Sequence, residues 1–99
     1  MATYWLSFRL KENSTYSDRY DALVETIRVN SMRWWPETSS FFVFETVATI
    51  DELAMHVKKQ IDPGTDLVLI GMPVFKSARL IGKNDDQDIF DLIPFVKTV

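Results

Sequence analysis

Two periodicities divide the chain. From Thr3 to Leu10, Tyr4, Leu6, Phe8 and Leu10 alternate with Trp5, Ser7 and Arg9, a period of two that predicts a strand with one core-facing side. Lys11 to Tyr16 is polar. Ser17 then stands as a helix N-cap with Asp18 in the first turn, and Tyr20, Leu23, Val24 and Ile27 recur at the three-and-four spacing of one apolar stripe. Arg19, Asp21, Glu25 and Arg28 take the other side or the flanks, so this helix is expected to pack on a sheet.

Met32 to Trp35 reads as a short strand stopped by Pro36, whose missing N–H suits a strand end. Thr38-Ser39-Ser40 supplies the bend, and Phe41 to Glu45, rich in aromatic and β-branched residues, reads as a buried, central strand. Thr49-Ile50-Asp51-Glu52 is a capping box: the threonine hydroxyl and the glutamate carboxylate each satisfy a backbone N–H that the helix start leaves unpaired. Ile50, Leu53, Val57 and Ile61 share a face of that second helix, and Lys58 and Lys59 lie in its last turn, where positive charge complements the macrodipole. Asp62-Pro63-Gly64 ends it, Asp66 to Gly71 forms a further buried strand, and Ser77 to Ile81 adds a short fifth.

The order is therefore β-α-β-β-α-β. This predicts a ferredoxin-like α+β domain, with a four-stranded antiparallel sheet carrying both helices on one face, plus the short fifth strand and a C-terminal segment. Every break is short enough to be an ordinary loop, so residues 1–99 are expected to form one domain. Within residues 84–99, Ile89, Phe90, Ile93 and Phe95 make a patch too apolar to be left in solvent, and it is expected to dock on its own chain or on a partner subunit.

Composition adds exclusions. Cysteine is absent, which removes disulfides, thiolate metal sites and a cysteine nucleophile. No apolar run approaches the roughly 20 residues that cross a bilayer, and no signal-peptide pattern opens the chain, so a cytoplasmic protein without membrane contact is expected. The net charge of −3 lies in the segment from Asn84 onward, where Asp85, Asp86, Asp88 and Asp91 face a single Lys97. Residues 1–83 balance to zero, so any nucleic-acid contact must come from a local cluster rather than from an overall basic surface. A core of this small size also gains from partner burial, which favours an oligomer.

Three segments narrow the comparison: the opening Tyr4-Trp-Leu-Ser-Phe-Arg-Leu10, the hydroxyl-then-aromatic Ser39-Ser-Phe-Phe-Val43, and Asp66-Leu-Val-Leu-Ile70 after a charged helix. Together they resemble the small CRISPR-associated endoribonuclease family of spacer acquisition. They are most similar to its SinR-like bacterial relatives, with the VapD-type toxins as more distant kin. The resemblance covers most of Thr3 to Ile81 and implies a homodimer, with the C-terminal segment passed to the partner's sheet. In that family an aromatic-Asp pair closes the first strand, and the aspartates of two subunits hold a divalent metal. Here the matching pair is Phe8-Arg9. A guanidinium has no lone pair to give a cation, so no catalytic residue, metal ligand or cofactor is assigned.

What remains are candidate contacts. Arg9, Arg33 and Arg79 would grip phosphates if their strands put them on one surface, although solvated ion pairs with Glu12, Glu37 or Glu45 are the simpler account. Trp34 and Trp35 are adjacent in a strand and must point to opposite sides of the sheet, so one is core and the other is free to stack on a base or close an interface. Trp5 extends that second surface, and with Ile89, Phe90, Ile93 and Phe95 it makes the candidate dimer contact. His56, the only histidine, lies on a helix flank, and the aspartates after Gly82 lack the turn glycine and distal glutamate of a calcium loop. The expected role is a non-catalytic homodimeric interaction or scaffold module. The alternatives are a metal-independent ribonuclease or toxin, a nucleic-acid-binding protein, or a small-molecule binder.

Overall fold

The computed structural model describes all residues from Met1 to Val99. Its elements are β1 (Ala2–Arg9), α1 (Tyr16–Asn30), β2 (Arg33–Trp35), β3 (Phe41–Thr46), α2 (Ile50–Lys58), β4 (Leu67–Gly71), β5 (Ala78–Gly82), α3 (Ile89–Leu92) and β6 (Val96–Thr98). The strands form one sheet in the order β2-β3-β1-β4-β5-β6, antiparallel throughout except for the parallel pair β5 and β6. The fold is α+β with a six-stranded mixed sheet and three helices. This corrects the expectation of four antiparallel strands: β2-β3-β1-β4 are arranged antiparallel, but β5 and β6 continue the sheet past β4.

The alternation in β1 builds the main core. Tyr4, Leu6, Phe8 and Leu10 face α1 and α2 and meet Phe42 and Phe44 of β3 and Val68 and Ile70 of β4. From the helices come Leu23 and Ile27 of α1 and Leu53, Ala54 and Val57 of α2, all with no exposed surface. Burying each of the larger of these side chains is worth roughly 1.5–3 kcal/mol, which is why the helix stripes and strand alternation dominate the local preferences.

The capping box of α2 is fully formed: Thr49 Oγ1 accepts from the Glu52 N–H at 3.1 Å, and Glu52 Oε1 accepts from the Thr49 N–H at 2.9 Å. The start of α1 differs from the expected Ser17 cap. Thr15 is the N-cap, its side chain caps no backbone N–H, and its hydroxyl accepts from Arg19 Nε instead. The earlier start brings Tyr16 into the helix, where its ring stacks on Tyr20 at 6.0 Å.

The C-terminal segment folds onto its own chain. Val96 joins Ala78 and Leu80 in a second, smaller core on the opposite side of the sheet, with Ile89, Phe90 and Ile93 packed over it. Thus α1 and α2 cover one side of the sheet, and α3 covers only the β4–β6 part of the other. No helix is long and apolar enough to cross a membrane.

Candidate interaction surface

The uncovered part of the sheet is set by register. Because Trp5 pairs with Val43, Val43 with Trp35, and Ser7 with Phe41, these side chains leave β1, β3 and β2 on the side away from α1 and α2. Strands that turn one side to water ordinarily place polar residues there. Here the outward positions at the centre are Trp5, Phe41, Val43 and Trp35, and Trp35 is 45% exposed.

Trp5 lies flat. Its indole stacks beside Phe41 with ring centroids 6.4 Å apart and planes 21° apart, and it extends across Gly71 of β4, where an added Cβ would lie 2.2 Å from the nearest ring atom. Glycine at 71 therefore makes room for the indole, as glycine within a strand often does where another group approaches closely. The result is a broad aromatic platform rather than a projecting side chain.

Charge borders the platform at both ends. Arg33 is level with Glu45 and lies 3.4 Å from it, and Glu45 is level with Thr3. Arg9 lies six residues further along β1, about 20 Å away at roughly 3.3 Å per residue. Arg79 is on the other side of the sheet, almost buried, and donates from Nε to Asp51 Oδ1 at 2.7 Å. The Arg79 hydrogen bond holds the Asp51 carboxyl below its usual range. The three arginines do not share a surface, so the condition for a phosphate grip by all three is not met: β5 alternates in phase with its partners, and Arg79 points to the same side as Ile81.

The tryptophans separate as adjacent strand residues must. Trp34 turns to the helix side and packs on Phe42 at 5.8 Å, while Trp35 joins the open side. Ile89, Phe90 and Ile93 are occupied by their own chain, whereas Phe95 stays 38% exposed before β6. His56 is exposed on α2. No three His, Asp or Glu side chains converge into a group suited to a metal ion.

No protein-family model, no curated protein and no solved structure matches this chain.

The most heavily engaged charged group lies elsewhere, at the end of β1, and sequence reasoning treated it only as a strand start. Asp66 has no exposed surface. Its carboxylate accepts from the N–H groups of Lys11 and Asp62, each at 2.8 Å, and from Arg19 Nη1 at 2.6 and 2.5 Å. Burial alone would raise its pKa, but these donors outweigh it and hold the carboxyl below the ordinary aspartate value. Arg19 also donates to the Lys11 carbonyl and to Asn13 Oδ1, so one ion pair joins the end of β1, the start of α1 and the turn before β4. The only hint in the sequence is an aspartate between a Pro-Gly turn and an apolar run.

Proposed function

We propose that this protein is a homodimeric interaction module with no hydrolytic centre, its β2-β3-β1-β4 sheet and first two helices forming a ferredoxin-like core similar to the CRISPR-associated endoribonucleases. Two copies associate through the open side of the sheet. The observation that carries this reading is the apolar content of that side, where Trp5, Phe41, Val43 and Trp35 stand at positions that solvent-facing strands give to polar residues.

Charge placement supports a second copy as the occupant. Arg9 and Glu45 lie at opposite ends of the same surface, so a twofold axis running across the strands brings each over the other's counterpart, as an isologous interface requires. The lack of hydrolysis rests on Arg9, whose guanidinium occupies the position where the resembling nucleases carry a metal-binding aspartate. No cofactor is assigned.

A second reading, single-stranded nucleic acid on the same surface, is favoured by one observation: the flat indole of Trp5 offers a π-face to a base. The electrostatics support it less. Arg33 is held by Glu45 and Arg79 faces the other way, which leaves Arg9 as the sole unpaired arginine on that side.

Sedimentation equilibrium of the full chain, alone and with a labelled RNA or DNA oligonucleotide in magnesium or manganese, tests both. The dimer reading expects twice the chain mass at micromolar concentration, no cleavage, and no salt-dependent oligonucleotide binding. A monomer that binds oligonucleotide with a steep salt slope would replace it with the second reading, and metal-dependent cleavage would remove the non-catalytic assignment.

A further inference from the structure

A cavity of about 350 Å³ lies where the C-terminal arm crosses the sheet. Its floor is Leu67 and Leu69 of β4 and Leu80 of β5, and its wall is Ile89 and Leu92 of α3. Arg9, Asp86 and Asp88 line it as well. The volume is at the small end of ligand pockets, which span roughly 300–1,000 Å³ and combine an apolar lining with a few convergent polar groups.

The charges in this lining are unspent. No carboxylate lies within 4.0 Å of Arg9, and neither Asp86 nor Asp88 belongs to any of the five ion pairs of the molecule. The Arg9 guanidinium makes one long bond, from Nη2 to the Lys83 carbonyl at 3.4 Å. The Asp86 carboxylate accepts only from the Asp88 N–H, at 2.9 Å, and the Asp88 side chain caps nothing on α3. Opposite charges thus line one apolar pocket without pairing with each other.

We propose that this cavity binds a zwitterion with an apolar body, of the class of free aliphatic or aromatic α-amino acids. The ligand carboxylate pairs with Arg9, its ammonium with Asp86 and Asp88, and its side chain lies on Leu67, Leu69 and Leu80. A simple anion would meet two carboxylates there and a simple cation would meet the guanidinium, so only a molecule carrying both charges is matched at every charged group. Guanidinium and carboxylate form strong charge-assisted hydrogen bonds, and the leucine floor adds apolar burial that a charged side chain would forfeit. Every group named belongs to one chain, but Arg9 is also the residue that the proposed dimer sets against the second copy's Glu45, so ligand and dimer draw on the same guanidinium.

The test is isothermal titration calorimetry of the full chain with L-leucine, L-phenylalanine, isopentylamine and 4-methylpentanoate, the last two being leucine without its carboxylate and without its amine. Saturable binding of at least one amino acid is expected, at least tenfold tighter than either half-molecule. Arg9→Gln should weaken the amino acid tenfold or more and leave isopentylamine unchanged, while Arg28→Gln, remote from the cavity, should change neither. Absence of heat with both amino acids at millimolar concentration would overturn the proposal. So would isopentylamine or 4-methylpentanoate binding as tightly as leucine, or full affinity in Arg9→Gln.

Discussion

The indole of Trp5 lies across Gly71 so closely that a methyl group at residue 71 would stand only 2.2–2.8 Å from three of its ring atoms. The platform on the open side of the sheet therefore depends on a residue with no side chain. Gly71→Ala should lift the indole off β4 at a cost of about 1–3 kcal/mol, the usual range for overpacking. A lowered urea midpoint together with a changed near-ultraviolet circular dichroism band is the expected result.

That relationship also shows what the sequence conveys and what it withholds. Alternation in β1, the stripes of α1 and α2 and the Thr49 capping box were legible because each is a local pattern whose period the structure keeps. Of the other five strands, the four from β2 to β5 could be anticipated in the same way. Strand β6 could not: Val96-Lys97-Thr98 has a single apolar residue, and it is a strand only because β5 offers a free edge beside it. The candidate surface was half legible. Opposite orientations of Trp34 and Trp35 follow from strand geometry, but which of them faces the open side depends on register with β3, and the placement of Arg79 against Asp51 depends on how α2 lies over β5.

Asp66 should govern acid stability. Its folded pKa is depressed, so its contribution is complete above the unfolded aspartate value of about 3.9 and is lost as pH falls through the folded value. Asp66→Asn leaves the nearly buried Arg19 without a counter-charge and should lower stability by about 3–5 kcal/mol at neutral pH. Urea midpoints measured from pH 7 to pH 2 should then show a shallower acid limb in the variant than in the natural protein.

Gly82 is held by a different constraint. Its φ is +108°, and a Cβ there would strike the Asp66 carbonyl oxygen, which accepts from the Lys83 N–H at 2.8 Å. Gly82→Ala combines strained backbone with that clash and should cost more than the roughly 1 kcal/mol of an average substitution. Thermal unfolding followed by circular dichroism checks it.

Removing residues 88–99 should destabilise the chain itself. The small core of Ala78 and Leu80 loses Val96 together with Ile89, Phe90 and Ile93, which pack against it. A lower unfolding midpoint and new binding of an apolar dye are expected, because a second apolar surface opens beside the first. An unchanged midpoint would mean that the C-terminal arm contributes nothing to its own sheet.

The location of the interface is the central claim, and the solution mass of two glutamate variants tests it most directly. Val43→Glu places a charge in the middle of the open side, whereas Val29→Glu, at a residue 60% exposed on α1, places one on the covered side. With both variants folded by circular dichroism, sedimentation equilibrium at micromolar concentration should give a monomer for Val43→Glu and a dimer for Val29→Glu and the unaltered chain. A Val43→Glu protein that remains dimeric would contradict association through this surface.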